Sequence, residues 1–145
     1  MRLGSPAPGT GDDLDPNGWF AQFMAAAKKR GLRIDFVCIH PYQRSFDPEQ
    51  ATRDLVREVN AVHDLYHRPI WVTEYAMVKW HGTQGETPDY AKQAEFASKS
   101  AAALEKIPFV ERYAWYTTIP GQPTFSAFTS DGKETPVGTA WREAP

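Results

Sequence analysis

Glu74 closes an apolar run, Ile70-Trp71-Val72-Thr73, and is followed directly by Tyr75. A carboxylate at the end of such a run is poorly placed for packing. It is well placed to attack an electrophilic carbon or to move a proton. The same group could instead cap a loop or pair with an arginine. Three further runs end in a comparable way: His40-Pro41-Tyr42 follows residues 34–39, Trp115-Tyr116 closes residues 110–116, and Pro6 stands near the end of a weak first run. Gathered on one face, these ends provide a carboxylate, an imidazole and several flat aromatic surfaces. That set suits a sugar, whose C–H faces stack on aromatic planes and whose hydroxyls need side-chain hydrogen bonds.

The candidates are therefore Glu74 for catalysis, and His40, Tyr42, Tyr75, Trp80, Trp115 and Tyr116 for substrate binding. Trp80 earns its place as an aromatic residue in a polar stretch, beside His81. For each aromatic residue the competing role is core packing, and for His40 it is a satisfied buried histidine. Alternation along a strand lets only one of Trp115 and Tyr116 face the site.

Other chemistries find no support. No GxGxxG and no Walker-type loop is present to cradle a phosphate. The histidines at 40, 63, 67 and 81 show no metal-ligand spacing; His63 and His67 are four apart on a helix, with no third ligand in view. A single cysteine, Cys38, lies inside an apolar run and gives neither an internal disulfide nor a thiolate metal site. No metal and no cofactor is expected. Sixteen Lys+Arg against 18 Asp+Glu give a net charge of −2, which argues against nucleic acid or an anionic membrane as partner. The sequence contains no transmembrane stretch, and its N-terminus lacks the apolar core of a signal peptide.

The elements that must position these residues recur as strand, loop, helix. Residues 2–7 read as a strand end. Residues 17–30 carry Trp19, Phe20, Phe23, Met24 and Ala27 at helical spacing, and Gly31 is placed to stop that helix. Residues 34–39 read as a strand. Asp47-Pro48 starts a helix with an N-cap and a proline in the first turn, and Leu55, Val59 and Val62 form its apolar face. A strand over 70–74, a polar loop over 81–86, a helix entered at Thr87-Pro88 and running to about Lys106, and a strand over 110–116 ending at Thr117 to Pro120 follow. The tail holds residues 126–129, a turn at Asp131-Gly132 and a short helix over 137–142. Strands alternating with helices imply an α/β fold with parallel pairing. The 145 residues suffice for one domain, 1–145, but fall short of the roughly 250 of a complete (β/α)₈ barrel. Four units are half a barrel; an open sheet of four or five strands is the rival.

The runs at 35–42, 70–76 and 112–117 resemble glycoside hydrolase family 128, the glycosyl hydrolase catalytic core group of endo-β-1,3-glucanases. The resemblance extends from Leu3 to the C-terminus and corresponds to the second half of the family's (β/α)₈ TIM barrel, strands five to eight. It implies a retaining mechanism with two glutamates. The nucleophile, in a Trp-x-Thr-Glu segment at the end of strand seven, falls on Glu74. The acid/base, in an Asn-Glu segment at the end of strand four, has no counterpart: Asn17 and Asn60 are the only asparagines, and neither precedes a glutamate. The expected partner is a β-glucan. The chain alone is expected to be inactive or weak, and secreted if the family's habit holds. A half barrel leaves unpaired strand edges, so a missing N-terminal half, a homodimer of half barrels or an open sheet is expected to answer them. A β-glucan-binding module without catalysis is the alternative.

Overall fold

The computed structural model describes residues 1–9, 11–119 and 124–145. Its main sheet joins β1 (Val37–Ile39), β2 (Ile70–Tyr75) and β5 (Val110–Trp115) in that order, all parallel. An isolated parallel bridge, Gly4 to Phe36, extends the sheet on the β1 side. Gly4 is required there: a Cβ would lie 2.3 Å from the Phe36 ring, which stacks on Trp71 with centroids 3.8 Å apart.

The strands alternate with α1 (Trp19–Lys29), α2 (Pro48–Tyr66) and α3 (Tyr90–Leu104), and α4 (Pro136–Arg142) closes the chain. The core lies between one face of the sheet and these helices. Val37, Ile39, Ile70, Val72 and Tyr75 meet Phe20 of α1, the Ala51-Leu55-Val59-Val62 stripe of α2 and Phe96, Ala97 and Leu104 of α3. A stripe recurring every three or four residues is what a helix needs to bury one side.

The helix ends follow local rules, with instructive departures. Asp47 caps α2 by accepting from the Gln50 N–H at 2.7 Å. Gly31, at φ +66, ends α1 as its type allows. However, α1 begins at Trp19 rather than residue 17, because Gly18 is its N-cap and Asp12, eight residues upstream, accepts from the Phe20 N–H at 2.9 Å. Thr87 does not cap α3. Its hydroxyl is engaged by that of Thr124 at 2.8 Å, and Asp89 caps instead, accepting from the Lys92 N–H.

The polar stretch at 81–86 is not a plain loop. Strands β3 (Lys79–His81) and β4 (Gln84–Glu86) form an antiparallel hairpin, turned at Gly82 with φ +64. A glycine in the left-handed region is what a tight hairpin turn takes. Pro120, expected to end the last strand's loop, lies outside the described residues.

Candidate functional site

Three candidates meet at the C-terminal ends of β1 and β2. Tyr42 donates its hydroxyl hydrogen to Oε2 of Glu74, and His40 Nδ1 stands 3.6 Å from the same oxygen. The Glu74 side chain is 36% exposed and that of His40 23%, so the carboxylate is supported from below and open above.

The register of β2 against β5 explains how Glu74 comes to face this way. Val72 pairs with Tyr113 and Tyr75 with Trp115, three steps along β2 against two along β5. The surplus residue is a β-bulge. With strict alternation Glu74 would share a face with Ile70 and Val72, which are fully buried against the helices. The bulge at Thr73 and Glu74 reverses the sides: Glu74 turns to the other face, and Tyr75 takes the place in the core.

Tyr75 and Trp115 are accordingly corrections to the expected binding set. Tyr75 is fully buried, accepts from the Ser100 hydroxyl at 3.2 Å and packs edge-on against Phe96, Trp115 and Trp141. Trp115 is 7% exposed and spends its indole N–H on the Phe125 carbonyl at 2.7 Å. Both fill the layer between sheet and helices, on the opposite side from the Glu74 carboxylate.

Tyr116 takes the opposite side from Trp115, as alternation requires. Its ring lies edge-on to Tyr42 at 5.6 Å, and Trp80, from β3, lies edge-on to Tyr42 at 5.3 Å. Trp80 and Tyr116 are both half-buried. Tyr42, 8% exposed, is thus clamped between two rings with its hydroxyl on the carboxylate.

Burial governs the two groups that flank the carboxylate. Burial, and then its bond to Glu74, pushes the Tyr42 phenol far above its ordinary value, so it remains a donor. Burial also pulls the His40 imidazole below its ordinary value, against the opposing pull of Glu74. At neutral pH His40 is therefore uncharged.

Among the described residues no group of three or more His, Cys, Asp or Glu could hold a metal ion. His63 stacks on Phe109 at 3.7 Å, and no described helix is long and apolar enough to cross a membrane.

Sequence reasoning missed what lies behind Tyr42. Gln43 is 4% exposed and donates to Oε2 of Glu58 at 3.0 Å. Glu58 stands three residues after Leu55 and four before Val62, so its place on the buried side of α2 could have been read from helical spacing.

A family model described as glycosyl hydrolase catalytic core matches residues 1–141. The chain is 41% identical to an endo-β-1,3-glucanase of glycoside hydrolase family 128, subgroup I, from Amycolatopsis mediterranei, solved in complex with laminaritriose. The TM-score is 0.90, with coverage of 100% of this chain and 59% of that one. An exo-β-1,3-glucanase of subgroup V from Cryptococcus neoformans, 18% identical, shares the fold at a TM-score of 0.77 over 97% of this chain and 54% of its own. Alkali-sensitive linkage protein 1 of Schizosaccharomyces pombe is 30% identical over 115 residues, which is 79% of this chain and 19% of that protein. The chain therefore spans 59% of the length of the solved endo-glucanase and a smaller part of the yeast protein.

Proposed function

Because the chain belongs to the glycosyl hydrolase catalytic core family, we propose that it is the part of a retaining β-1,3-glucan hydrolase that carries the nucleophile, Glu74. Residues 1–145 form one domain in this reading, the last four units of a (β/α)₈ barrel. Gly4 and β5 lie on its fifth and eighth strands.

The observation that carries the reading is the Tyr42 hydroxyl bonded to Glu74 Oε2 with uncharged His40 beside it. One carboxylate oxygen is held while the side chain stays open to solvent. In retaining hydrolysis that group attacks the anomeric carbon as the glycosidic bond breaks, forming a glycosyl ester. A second carboxyl about 5–5.5 Å away protonates the departing oxygen and later takes a proton from water.

The family's acid/base lies in an Asn-Glu segment, and neither Asn17 nor Asn60 precedes a glutamate. In this reading the acid/base is supplied from outside these residues, by a preceding half of the barrel or by a second copy. The sheet pattern supports completion of this kind. Among the described residues β5 pairs only with β2, and the Gly4 segment only with Phe36. Open edges of this sort are normally covered. General acid/base assistance is worth about 10²–10⁴-fold, so the chain alone cleaves β-1,3-glucan weakly or not at all.

A substrate that needs no acid tests this directly. With 2,4-dinitrophenyl β-laminaribioside, whose leaving group departs unprotonated, the chain releases a burst of dinitrophenolate and gains the mass of one laminaribiosyl group on the peptide holding Glu74. Glu74→Gln does neither. Equal bursts from both proteins would discard Glu74 as the nucleophile.

A second reading, β-glucan binding without cleavage, is favoured by the half-buried Trp80 and Tyr116 beside Tyr42. Retardation in laminarin-containing gels that is lost in Trp80→Ala, with no burst from the activated substrate, would support it.

A further inference from the structure

Behind Tyr42, away from Glu74, lies a hollow of about 500 Å³ whose walls include Asp13, Gln43 and Glu58. Asp13 is 3% exposed, and its Oδ2 is buried without a hydrogen-bond donor among the described residues. Its neighbour is the carboxyl of Glu58, within hydrogen-bonding reach. Two carboxylates so placed out of water cannot both be ionised, and a shared proton is the usual resolution. That proton gives Asp13 its missing donor.

Glu58 also reaches the site. Its Oε2 accepts from the Gln43 side-chain amide at 3.0 Å, and the same amide donates to the Pro41 carbonyl at 3.2 Å. The Gln43 backbone N–H donates to the Ala76 carbonyl at 2.9 Å, and its carbonyl accepts from the Val78 N–H at 3.0 Å. Residues 41–43 are thus a strap, tied on one side to the chain after β2 and on the other to α2. Tyr42 is the link in its middle.

We propose that Glu58 is a positioning residue for Glu74: in its protonated form it bridges Asp13 and Gln43, and so holds the strap where the Tyr42 hydroxyl meets the Glu74 carboxylate. The proposal takes up the reading of Glu74 as nucleophile and assigns a residue that acts through Tyr42 without touching substrate.

The surroundings of the pair favour the shared proton. On the Asp13 side stand Asp12 and the hydroxyl of Tyr66, which donates to the Asp13 carbonyl at 3.5 Å. From α2 come Asp54 and Arg57, and from the chain after β1 come Tyr42 and Arg44. Arg57 is committed to Asp54 at 2.6 Å. Burial, then the charge of Asp13, pushes Glu58 up to about 7, and burial raises Asp13 as well. Deprotonation above neutrality places two charges side by side, drives the Glu58 side chain toward the hollow and slackens the strap.

The test is a proton NMR spectrum of the whole chain, read at the downfield resonance of the Tyr42 hydroxyl proton and assigned by its disappearance in Tyr42→Phe. In the wild type the resonance is expected to be sharp below neutrality and lost as pH rises through about 7. In Glu58→Gln it is expected at every pH up to 9, because the amide donates to Asp13 and accepts from Gln43 as the protonated acid does. In Glu58→Ala it is expected to be absent while helical circular dichroism persists. A resonance kept in Glu58→Ala, or a pH dependence in Glu58→Gln equal to that of the wild type, overturns the proposal. Should Glu58→Ala fail to fold, the comparison of Glu58→Gln with the wild type still decides. The readout reports the Tyr42–Glu74 bond and not turnover, so failure of Glu74 as nucleophile in the burst assay leaves this result standing on its own.

Discussion

The hydroxyl of Tyr42 and Oε2 of Glu74 are hydrogen-bonded across the ends of β1 and β2, and the donor ring is buried while the acceptor side chain is partly open. The bond fixes the carboxylate without using both of its oxygens. It also sets a direction of dependence, since disturbing Tyr42 disturbs Glu74.

Tyr42→Phe removes that bond and leaves the ring between Trp80 and Tyr116. A hydrogen bond to a charged group contributes about 1.5–3 kcal/mol, and here the acceptor can still reach water. The expected loss of stability is therefore small, about 1 kcal/mol in urea denaturation. The rate of the dinitrophenolate burst is expected to fall on the order of tenfold or more, because the carboxylate is no longer held in line.

Trp115→Ala and Trp80→Ala separate core from site. Removing a buried tryptophan costs about 3–5 kcal/mol, so Trp115→Ala is expected to lower the melting temperature strongly. Trp80 is half-buried on a short hairpin. Its truncation is expected to cost less stability and to abolish retardation in laminarin gels. Reversal of these two outcomes would show that the faces of β3 and β5 are misassigned.

Stability is expected to depend on pH in a way that one substitution removes. The folded chain raises Glu58 from 4.5 to about 7 and raises Asp13 in the same direction. Folding therefore binds protons, and this contribution is fully present below about 4.5 and lost as pH rises through about 7. His40 has the opposite sign: its lowered value gives stability that is present above 6.5 and lost as pH falls. Denaturation midpoints measured from pH 5 to 9 are expected to decline on the alkaline side in the wild type, and to stay level there in Glu58→Gln.

Gly4→Ala tests the edge of the sheet. The added methyl would overlap the Phe36 ring, which is held against Trp71. Overpacking of this kind typically costs about 1–3 kcal/mol. The expected signature is that loss in thermal denaturation together with altered tryptophan fluorescence from Trp71.

The alternation of strand and helix was legible in the sequence because it rests on local spacing, as were the Asp47 cap and the Gly31 stop. The clustering of chemistry-bearing types at run ends was legible for the same reason, and it led to His40, Tyr42 and Glu74. What stayed hidden depends on partners far along the chain. Thr87 looks like a cap until Thr124 occupies its hydroxyl, and Tyr75 looks like a site residue until β2 is laid against β5. The pairing of Asp13 with Glu58 joins a loop to a helix 45 positions later, and nothing near Asp13 announces it.

The extra residue in β2 gives this segment a tolerance that a regular strand lacks. Removing the codon for Thr73 would leave two steps along β2 against two along β5, with Glu74 still opposite Val72 and Tyr75 still on the helix side. In descendants of this chain, position 73 should therefore collect substitutions and single-residue losses alike, provided that the glutamate after it is kept.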